Sequence, residues 1–374
     1  MRWHRVLNVV NCHAEGEVGN VVTGGVFDIE GSSVFEKMMY FEERRDELRK
    51  ICLFEPRGSA NQSVNFLVPA TDPRAQMGYV IAESTEYPAM SGSNTMCVAT
   101  VLLETGILPM VEPVTNLTLE SPAGLIELRC TCENGKVTKV EFKNQPAFAN
   151  HLDKFIEVEG LGTLKVDVGY GGMTYVIVDA HALGFGITPD EARDLCVTGQ
   201  KIKFAAAEQL PSPHPINPLI KGITQTEFVT PVRRENGILT SRNTVIVSPG
   251  RCDRSPCGTG TSARLAVLHA KGEIQVGERF EHRSIIDSVF TAHIDSVTTL
   301  GDVAAVVPVV AGQAWISAIS QVGVDPSDRF QTGFTLSDTW LEAVDDKLIR
   351  SDLATPRGPP IVRAEDAAVD VNRS

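Results

Sequence analysis

Short apolar runs recur along the whole chain, and most of them have the length of β-strands. They are rich in valine and are bounded by glycine, proline or asparagine, as strands usually are. The chain is therefore expected to be rich in β-structure. These runs predict strands at Val6–Cys12, Leu117–Glu120, Leu125–Cys130, Val137–Phe142, Tyr175–Val178, Thr244–Val247 and Val303–Val310.

Fewer segments have the residue spacing of helices. Val34–Ile51 places charged and apolar residues at helical intervals. Thr188 is followed by proline and, three positions later, by glutamate, which predicts a capped helix start and a helix that runs through Leu195. Thr95–Leu103 is apolar on nearly every face, so it predicts a helix that is buried on all sides.

Two segments of the chain resemble each other at a fixed distance. The first begins Ser91-Gly92-Ser93-Asn94-Thr95 and the second begins Cys257-Gly258-Thr259-Gly260-Thr261. Each continues as a largely apolar run and ends in glycine, which is a usual helix stop. The offset, 257 minus 91, is 166 residues. We therefore expect two central helices, one in each half of the chain, with one site between them.

Many strands around two central helices, without alternating βαβ units, predict an α+β fold. With 374 residues the chain is long enough for two domains. We assign residues 1–165 to an N-terminal half that carries Ser91 and residues 166–355 to a C-terminal half that carries Cys257. Residues 356–374, rich in proline and in small or charged residues, are expected to form a loosely ordered tail.

The composition is that of a globular protein, with 43% hydrophobic and 22% charged residues. A formal net charge of −13 without a basic cluster argues against nucleic acid or an anionic membrane as a partner. No apolar run has the length of a membrane-spanning helix, and the first residues lack a secretory signal. The eight scattered cysteines are typical of reduced thiols, so we expect a cytoplasmic protein.

The sequence contains no pattern for binding a metal or a nucleotide. Cys130 and Cys132 alternate as on one face of a strand, but no further cysteine or histidine has the spacing of a metal site. The glycine-rich pieces 169–172 and 258–260 match neither the dinucleotide fingerprint nor a Walker loop. We therefore predict that the protein needs neither a metal nor a cofactor. A homodimer is left open, because no sequence feature bears on it.

The starts of the two repeated helices are the best candidates for a functional site. A helix N-terminus exposes unpaired N–H groups with partial positive charge, and Gly92 and Gly258 let a ligand approach the backbone closely. Each half thus offers a cradle for a carboxylate. The same position favours the thiolate form of a cysteine, which makes Cys257 the best candidate for a catalytic base. For the other seven cysteines we prefer the alternative, an inert buried thiol.

Ser91 and Asp253 are weaker candidates. Ser91 has the common alternative of capping its helix, and a serine hydroxyl is a poor acid or base without a partner. Asp253 is suited to hold a substrate ammonium, but an aspartate before Ser-Pro also suits a turn, and Arg254 is an alternative ion-pair partner. The segments His13–Glu17 and Glu55–Gly58 suit either the rim of a site or a structural turn, and we prefer the structural turn for both.

These motifs resemble those of the proline racemase family. The segment Asp253–Ala263, with the sequence Asp-Arg-Ser-Pro-Cys-Gly-Thr-Gly-Thr-Ser-Ala, is similar to the second family signature almost residue for residue. Met90–Thr95 is similar to the first signature, Met-Cys-Gly-His-Gly-Thr, with serine for cysteine at position 91 and serine for histidine at position 93. The resemblance runs from about His13 to Gly333 and includes the pieces Glu55–Gly58, Ser121–Gly124 and Ser284–Ile286.

The resemblance implies the fold of diaminopimelate epimerase, with two pseudo-symmetric domains, each a central helix wrapped by a mostly antiparallel sheet. The site would lie in the cleft between them. It also implies cofactor-independent chemistry at the α-carbon of an imino acid, which is the expected small-molecule partner. Cys257 would be one of two opposed acid/base residues, with Ser91 in the place of the other. Substrate would be held by Gly92, Ser93, Gly258 and Thr259 at its carboxylate and by Asp253 at its ring ammonium.

Serine at position 91 changes the expected activity. A racemase needs a competent acid/base group on each face of the α-carbon, and the pKa of serine is far from the working pH. Family members with serine or threonine here are similar to trans-3-hydroxy-L-proline dehydratases. In that substrate the α-hydrogen and the 3-hydroxyl leave from one ring face, so Cys257 alone would act as base and then as acid. The sequence therefore predicts dehydration to Δ1-pyrroline-2-carboxylate, with Ser91 either orienting the ring or closing the carboxylate cradle.

Two alternatives to dehydration remain at this point. The first is a 4-hydroxyproline 2-epimerase activity, alone or as a second activity, with Ser91 as a weak acid. The second is a non-catalytic binder of imino acids, against which the thiol of Cys257 at an activating helix terminus argues. The sequence does not identify the residues that contact the ring hydroxyl.

Overall fold

The computed structural model describes residues 2–218, 220, 222–336 and 339–340, so the expected tail lies outside the described residues. Within them the chain forms 18 strands. In chain order these are β1 Arg5–Ala14, β2 Glu17–Gly24, β3 Gln62–Val68, β4 Met77–Ala82, β5 Val114–Ser121, β6 Gly124–Glu133, β7 Lys136–Lys143, β8 Phe148–Val158, β9 Gly162–Tyr170, β10 Thr174–Asp179, β11 Gln225–Val229, β12 Arg233–Glu235, β13 Ile238–Val247, β14 Arg251–Cys252, β15 Phe280–Arg283, β16 Val289–Leu300, β17 Val303–Gly312 and β18 Ala314–Val324.

The described residues also form five α-helices and two short 3₁₀ turns. All seven predicted strands lie within observed strands. None of the helices among the described residues is long and apolar enough to cross a membrane. The helices are α1 Val34–Arg44, α2 Glu47–Leu53, α3 Gly92–Glu104, α4 Ala192–Gln209 and α5 Gly258–Ala270, and the 3₁₀ turns are His181–Leu183 and Pro189–Glu191.

The strands pair mostly antiparallel, as the predicted α+β fold requires. The parallel pairs are β2 with β3, β4 with β5, β10 with β11 and β13 with β15. Strand β13 belongs to two groups of strands: its residues 239–242 pair with β15, and its residues 243–246 pair with β11. This strand therefore connects a larger group, which includes β1 to β7, with a smaller group built from β8 to β11 and β14.

The two repeated segments form the central helices α3 and α5. α3 packs against β1, β2, β7 and β18, and α5 packs against β8, β9, β16 and β17. Residues 92–103 of α3 and 258–268 of α5 are all buried. This confirms the prediction of helices surrounded by sheet, because a helix without a polar face is stable only when every side is covered.

The strand pairing crosses the proposed boundary between the halves. Residues 165 and 166 both lie inside β9. Strand β18, close to the C-terminal end of the described residues, pairs with β1 along its length, and β17 pairs with β7. Strands β17 and β18, from the C-terminal half of the chain, thus complete the layer of strands around α3. The division into residues 1–165 and 166–355 stays a prediction.

Two helix predictions differ from the structure in their extent. The segment Val34–Ile51 forms two helices instead of one, with the break at Arg45 and Asp46. Asp46 accepts from Arg49 at 2.7 Å, and an acidic side chain favours a new helix start because it faces the positive end of the helix dipole. The helix that starts at Thr188 has the predicted capping box, but it continues well beyond the expected end to Gln209.

Candidate active site

Helices α3 and α5 meet at their N-termini. A Cβ atom on Gly92 would lie 3.0 Å from Cα of Gly258, and a Cβ atom on Gly258 would lie 2.9 Å from Cα of Gly92. The same two atoms would lie 2.7 and 3.0 Å from the ring of Phe142. Only glycine fits at both positions, because the two backbones are in contact there. The sequence repeat therefore brings Ser91 and Cys257 to one place in the structure.

A cavity lies at this junction, and five of the seven predicted site residues line it. Ser91 and Ser93 come from one helix, Cys257 and Thr259 come from the other, and Asp253 precedes the second helix. Gly92 and Gly258 form the helix contact beside the cavity. The cavity is also lined by Glu17, Glu83, Met90, Asn94, Met173, Tyr175, Gln225, Val247 and Arg251.

The first N–H groups of both helices are available to an anion. Among the described residues, the backbone N–H groups of Gly92, Ser93, Gly258 and Thr259 donate to no protein acceptor. Unpaired donors of this kind at a helix N-terminus are suited to a carboxylate. Carboxylate binding at this place stays a prediction.

Cys257 is held in an unusual backbone conformation at the start of α5. Its φ angle is 59°, in the left-handed region that non-glycine residues rarely adopt, and strain of this kind is often found at functional sites. The backbone N–H of Gly260 donates to Sγ at 3.4 Å. The hydroxyls of Tyr175 and Thr259 each lie 3.6 Å from the same sulfur. Because these two hydroxyls also bond each other at 2.6 Å, one of them and the Gly260 N–H can donate to the sulfur at the same time.

The N–H of Gly260 at the helix N-terminus lowers the pKa of Cys257, as expected, but the net shift of the pKa is upward. Burial raises the pKa of the thiol well above its usual value, and the nearby Asp253 carboxylate raises it further. The hydrogen bonds from Tyr175, Gly260 and Thr259 lower the pKa, but they do not offset the burial. A buried thiolate loses its hydration, which outweighs the helix-end effect here. Burial therefore favours the neutral thiol of Cys257 over the thiolate.

Ser91 occupies the N-cap position of α3 without capping it. No backbone N–H of the helix donates to its side chain. Instead the amide Nδ2 of Asn94 donates to Ser91 Oγ at 3.0 Å, and the hydroxyl of Ser93 lies 3.4 Å away. The ordinary capping interpretation is therefore wrong, and Ser91 has a side-chain partner that its sequence position did not indicate.

Asp253 lies in a buried cluster of acidic groups. Its Oδ1 accepts from the backbone N–H and the hydroxyl of Ser255 at 2.8 and 2.9 Å. The Arg254 guanidinium is not its recorded partner, since it donates to the backbone carbonyl of Cys252 at 2.6 Å. Burial and the neighbouring Glu17 raise the pKa of Asp253 well above its usual value, although Arg251 opposes this.

A single guanidinium faces several carboxyl groups in this cluster. Arg251 pairs with Glu17 at 2.6 Å and lies 3.7 Å from Glu83. Burial raises the pKa of Glu83 to about 7, and the charge of Arg251 opposes the shift. With Asp253, three carboxyl groups share one fixed positive charge, so this side of the cavity is suited to a cationic group.

Several lining residues could not be identified from the sequence. Glu17 belongs to the segment that was interpreted as a structural turn, and that interpretation is wrong for this residue because it lines the cavity. Glu83, Arg251 and Tyr175 lie in strands or loops without a motif of their own. By contrast, the structural interpretation of Glu55–Gly58 is confirmed, since Arg57 from this segment donates to the backbone carbonyls of Phe330 and Gln331 at 2.7 Å.

Metal-binding geometry does not occur in the part of the chain that the structure describes: no group of three or more His, Cys, Asp or Glu residues there could hold an ion. Cys130 and Cys132 are buried in the core around α3. The Cys132 sulfur lies 3.6 Å from the hydroxyl of Thr115. These two thiols therefore have a packing role.

Two solved structures are similar to this chain over most of its length. A hydroxyproline epimerase from Agrobacterium vitis, crystallised with bound trans-4-hydroxy-L-proline, is 38% identical, with a TM-score of 0.84 over 91% of this chain and 97% of that chain. A probable proline racemase from Agrobacterium radiobacter K84, with bound carbonate, is also 38% identical, with a TM-score of 0.82 over 89% of this chain and 98% of that chain.

More distant structures share the fold alone. A methylitaconate-delta-isomerase is 15% identical, with a TM-score of 0.52 over 85% of this chain and 95% of that chain. A predicted epimerase from Pseudomonas aeruginosa is 16% identical, with the same TM-score over 84% of this chain and 98% of that chain. These likenesses and the strand pairing confirm the predicted α+β fold class. The proline racemase family model matches residues 9–335, and the chain therefore belongs to the proline racemase family.

Proposed function

We propose that this protein inverts the α-carbon of a hydroxyproline without a cofactor, as a hydroxyproline 2-epimerase. The observation that carries the proposal is that Cys257 and Ser91, from two helices in contact at their N-termini, line one cavity. The likeness to a hydroxyproline epimerase with bound trans-4-hydroxy-L-proline supports the substrate class. We therefore propose epimerisation as the main activity, although the serine at position 91, taken alone, favours dehydration.

The two ends of the cavity suit the two charged groups of an imino acid. The substrate carboxylate would accept from the free N–H groups of Gly92, Ser93, Gly258 and Thr259. The ring ammonium would pair with Asp253, whose surroundings carry more acidic than basic groups. The α-carbon is then placed between the Cys257 sulfur and the Ser91 oxygen.

Binding of the substrate would also prepare Cys257 as a base. The negative charge of Asp253 contributes to the raised pKa of the thiol, and the ammonium offsets that charge. The thiolate would then be stabilised by the Gly260 N–H and by one hydroxyl of the hydrogen-bonded pair Tyr175 and Thr259. It removes the α-proton from one face, and Ser91 delivers a proton to the other face.

Dehydration of trans-3-hydroxy-L-proline is the second candidate. The observation in its favour is that Cys257 and Ser91 differ in acid/base strength. A thiol has a pKa far closer to neutrality than a serine hydroxyl. Cys257 would remove the α-proton and the resulting thiol would protonate the departing hydroxyl on the same face. Ser91 would then transfer no proton.

One assay tests both candidates. The stereoisomers of 3- and 4-hydroxyproline are incubated with the protein in deuterated water, and the products are identified by NMR. Epimerisation gives the opposite α-configuration with deuterium at Cα, whereas dehydration gives Δ1-pyrroline-2-carboxylate. We expect a 4-hydroxyproline to be epimerised and Cys257→Ser to lose about 10²- to 10⁴-fold of the rate.

A matched control is Cys52→Ser, which changes a buried thiol in a separate core cluster. It is expected to retain the wild-type rate in the folded protein. If no hydroxyproline exchanges its α-proton, or if Cys257→Ser is as active as wild type, the proposed function is wrong. Release of the imine without the epimer would assign the second candidate.

A further inference from the structure

Asn94 contacts Ser91 through its side-chain amide. It lines the cavity, and only 1% of its surface is exposed. Its Nδ2 donates to Ser91 Oγ at 3.0 Å. Its Oδ1 accepts from Nδ2 of Asn65 at 2.8 Å. The amide of Asn94 is therefore held at both ends inside the protein.

The direction of these hydrogen bonds is fixed by the backbone. Nδ2 of Asn65 also donates to the backbone carbonyl of Asn20 at 3.2 Å. A carbonyl oxygen only accepts, so the Asn65 atom that faces it must be the NH₂ group. This NH₂ group then requires an oxygen of Asn94 on its other side. The NH₂ group of Asn94 must consequently face Ser91.

This arrangement makes Ser91 Oγ an acceptor from Asn94 and leaves its own proton free to be donated. Within the described residues, the other side-chain oxygen recorded near it is that of Ser93, at 3.4 Å, which is long for a hydroxyl hydrogen bond. The Ser91 proton is therefore available to a group in the cavity. When that proton leaves, the N–H of Asn94 stabilises the resulting negative oxygen.

In the other half of the repeat, a backbone N–H makes the corresponding hydrogen bond. The position equivalent to Asn94 is Gly260, since 260 minus 94 is also 166. There the backbone N–H of Gly260 donates to Cys257 Sγ at 3.4 Å. Each of the two opposed groups thus receives one N–H from the third residue after it, by a side chain in α3 and by the main chain in α5.

We infer that Asn94 is a positioning residue that lets Ser91 act as the second acid/base group, and so sets the ratio of epimerisation to exchange without inversion. The inference rests on the proposed function. The Cys257 thiolate takes the α-proton, so that the C–H bond of the substrate α-carbon breaks and an S–H bond forms. Ser91 gives its O–H proton to the other face of the α-carbon. Solvent then returns a proton to Ser91 and removes one from Cys257, so protons and electrons balance.

The first test measures this ratio with Asn94→Ala in deuterated water, with the isomer that Cys257 deprotonates as the starting substrate. Cys257 alone incorporates deuterium with retention of configuration, whereas formation of the epimer also needs Ser91. We expect epimer formation to fall by about 10²-fold relative to exchange with retention. An equal fall in both rates would overturn the inference.

Asn144→Ala is the matched control for a loss of stability. Asn144 is also a buried asparagine, and its Nδ2 donates to the Gly171 carbonyl at 2.8 Å and to the Ser262 hydroxyl in α5 at 2.9 Å. It does not line the cavity. We expect this variant to lower the folded fraction while it leaves the ratio of epimer to retained product at the wild-type value.

A second test needs no turnover, so it separates failure of the inference from failure of the proposed function. The substitution Ser91→Cys introduces a thiol whose rate of alkylation by iodoacetamide reports its thiolate fraction at each pH. Asn94→Ala in that background is expected to raise the pH midpoint of alkylation by about one unit, which is a tenfold change in acidity. An unchanged midpoint would overturn the inference even if the wild type proves to be an epimerase.

Discussion

Gly92 and Gly258 are in mutual contact across the junction of α3 and α5, so that a Cβ atom on either one would lie within 3.0 Å of the other's Cα. The contact places two helix N-termini side by side. Their free N–H groups and their first side chains, those of Ser91 and Cys257, consequently face one cavity. The distance between the side chains of Ser91 and Cys257 thus depends on the absence of a side chain at these two glycine positions.

Substitution Gly92→Ala or Gly258→Ala is expected to push the two helices apart. Because the new methyl group would meet backbone and the Phe142 ring, we expect each change to lower the free energy of unfolding by about 1–3 kcal/mol. The rate of epimerisation should fall by more than the loss of stability explains, since Ser91 and Cys257 must both reach the α-carbon. Urea unfolding and the exchange assay measure the two effects.

Gly186→Ala is the control for this pair. A Cβ atom there would have its nearest neighbour at 3.7 Å, which is an ordinary van der Waals contact. We expect wild-type activity and stability within about 0.5 kcal/mol. Normal activity of Gly92→Ala and Gly258→Ala would show that the helix contact does not position the site.

Tyr175→Phe is expected to make Cys257 a weaker base. The Tyr175 hydroxyl lies 3.6 Å from the sulfur and 2.6 Å from the Thr259 hydroxyl, and its hydrogen bond lowers the pKa of the thiol. Loss of one donor to a charged group costs roughly 1.5 kcal/mol, which corresponds to about one pH unit. The rising limb of kcat/KM against pH should therefore move upward by about one pH unit.

The control for this change is Tyr79→Phe in the other half. Its hydroxyl lies 2.6 Å from the hydroxyl of Thr95 in α3, so it also bonds a threonine of a central helix, but it makes no hydrogen bond to the Cys257 sulfur. We expect a loss of stability and an unchanged pH profile. An equal shift of the pH limb in both variants would mean that Tyr175 acts through packing alone.

Asp253→Asn is expected to weaken binding of a cationic ring selectively. The amide keeps the shape of the carboxyl group but cannot form an ion pair with the ring ammonium. A hydrogen bond to a charged group is worth about 1.5–3 kcal/mol, so the Kd of hydroxyproline should rise by roughly 10- to 100-fold. Calorimetry with hydroxyproline and with tetrahydrofuran-2-carboxylate, which lacks the ammonium, measures the difference. Equal weakening of both ligands would exclude this role of Asp253.

Glu227 makes the stability of the protein depend on pH. Burial raises the pKa of this carboxyl group to about 7, although Asn243 donates to it at 2.9 Å. Between its usual pKa and about 7 the folded state holds a proton that the unfolded chain has released. Stability from this group is therefore complete at low pH and is lost as the pH rises through about 7.

Glu227→Gln should accordingly gain stability, relative to wild type, when the pH is raised from 5.5 to 8. We expect a relative gain on the order of 1–3 kcal/mol from urea unfolding at the two pH values. The control Glu36→Gln should show no such change, because hydrogen bonds from Ser32 hold the pKa of Glu36 below its usual value and the group is ionised at both pH values. A pH-independent effect of Glu227→Gln would contradict the assignment.

The sequence by itself determined the local features of this protein. The apolar runs specified strands such as β1 and β17, because a strand is recognised by residues close in the chain. The all-round apolar character of α3 specified a buried helix. The repeat at 91 and 257 indicated two residues that line the cavity at the helix junction, since both halves follow the same local pattern at a helix start.

Tertiary structure alone decided which distant residues complete the site and how acidic they are. Glu17, Glu83 and Arg251 meet through pairings between remote strands, which no local pattern specifies. The pKa of Cys257 is set chiefly by the loss of hydration on burial, and burial is a property of the folded chain. The partner of Ser91 was present in the repeat as Asn94, but its role required the hydrogen bond from Asn65, 29 residues away.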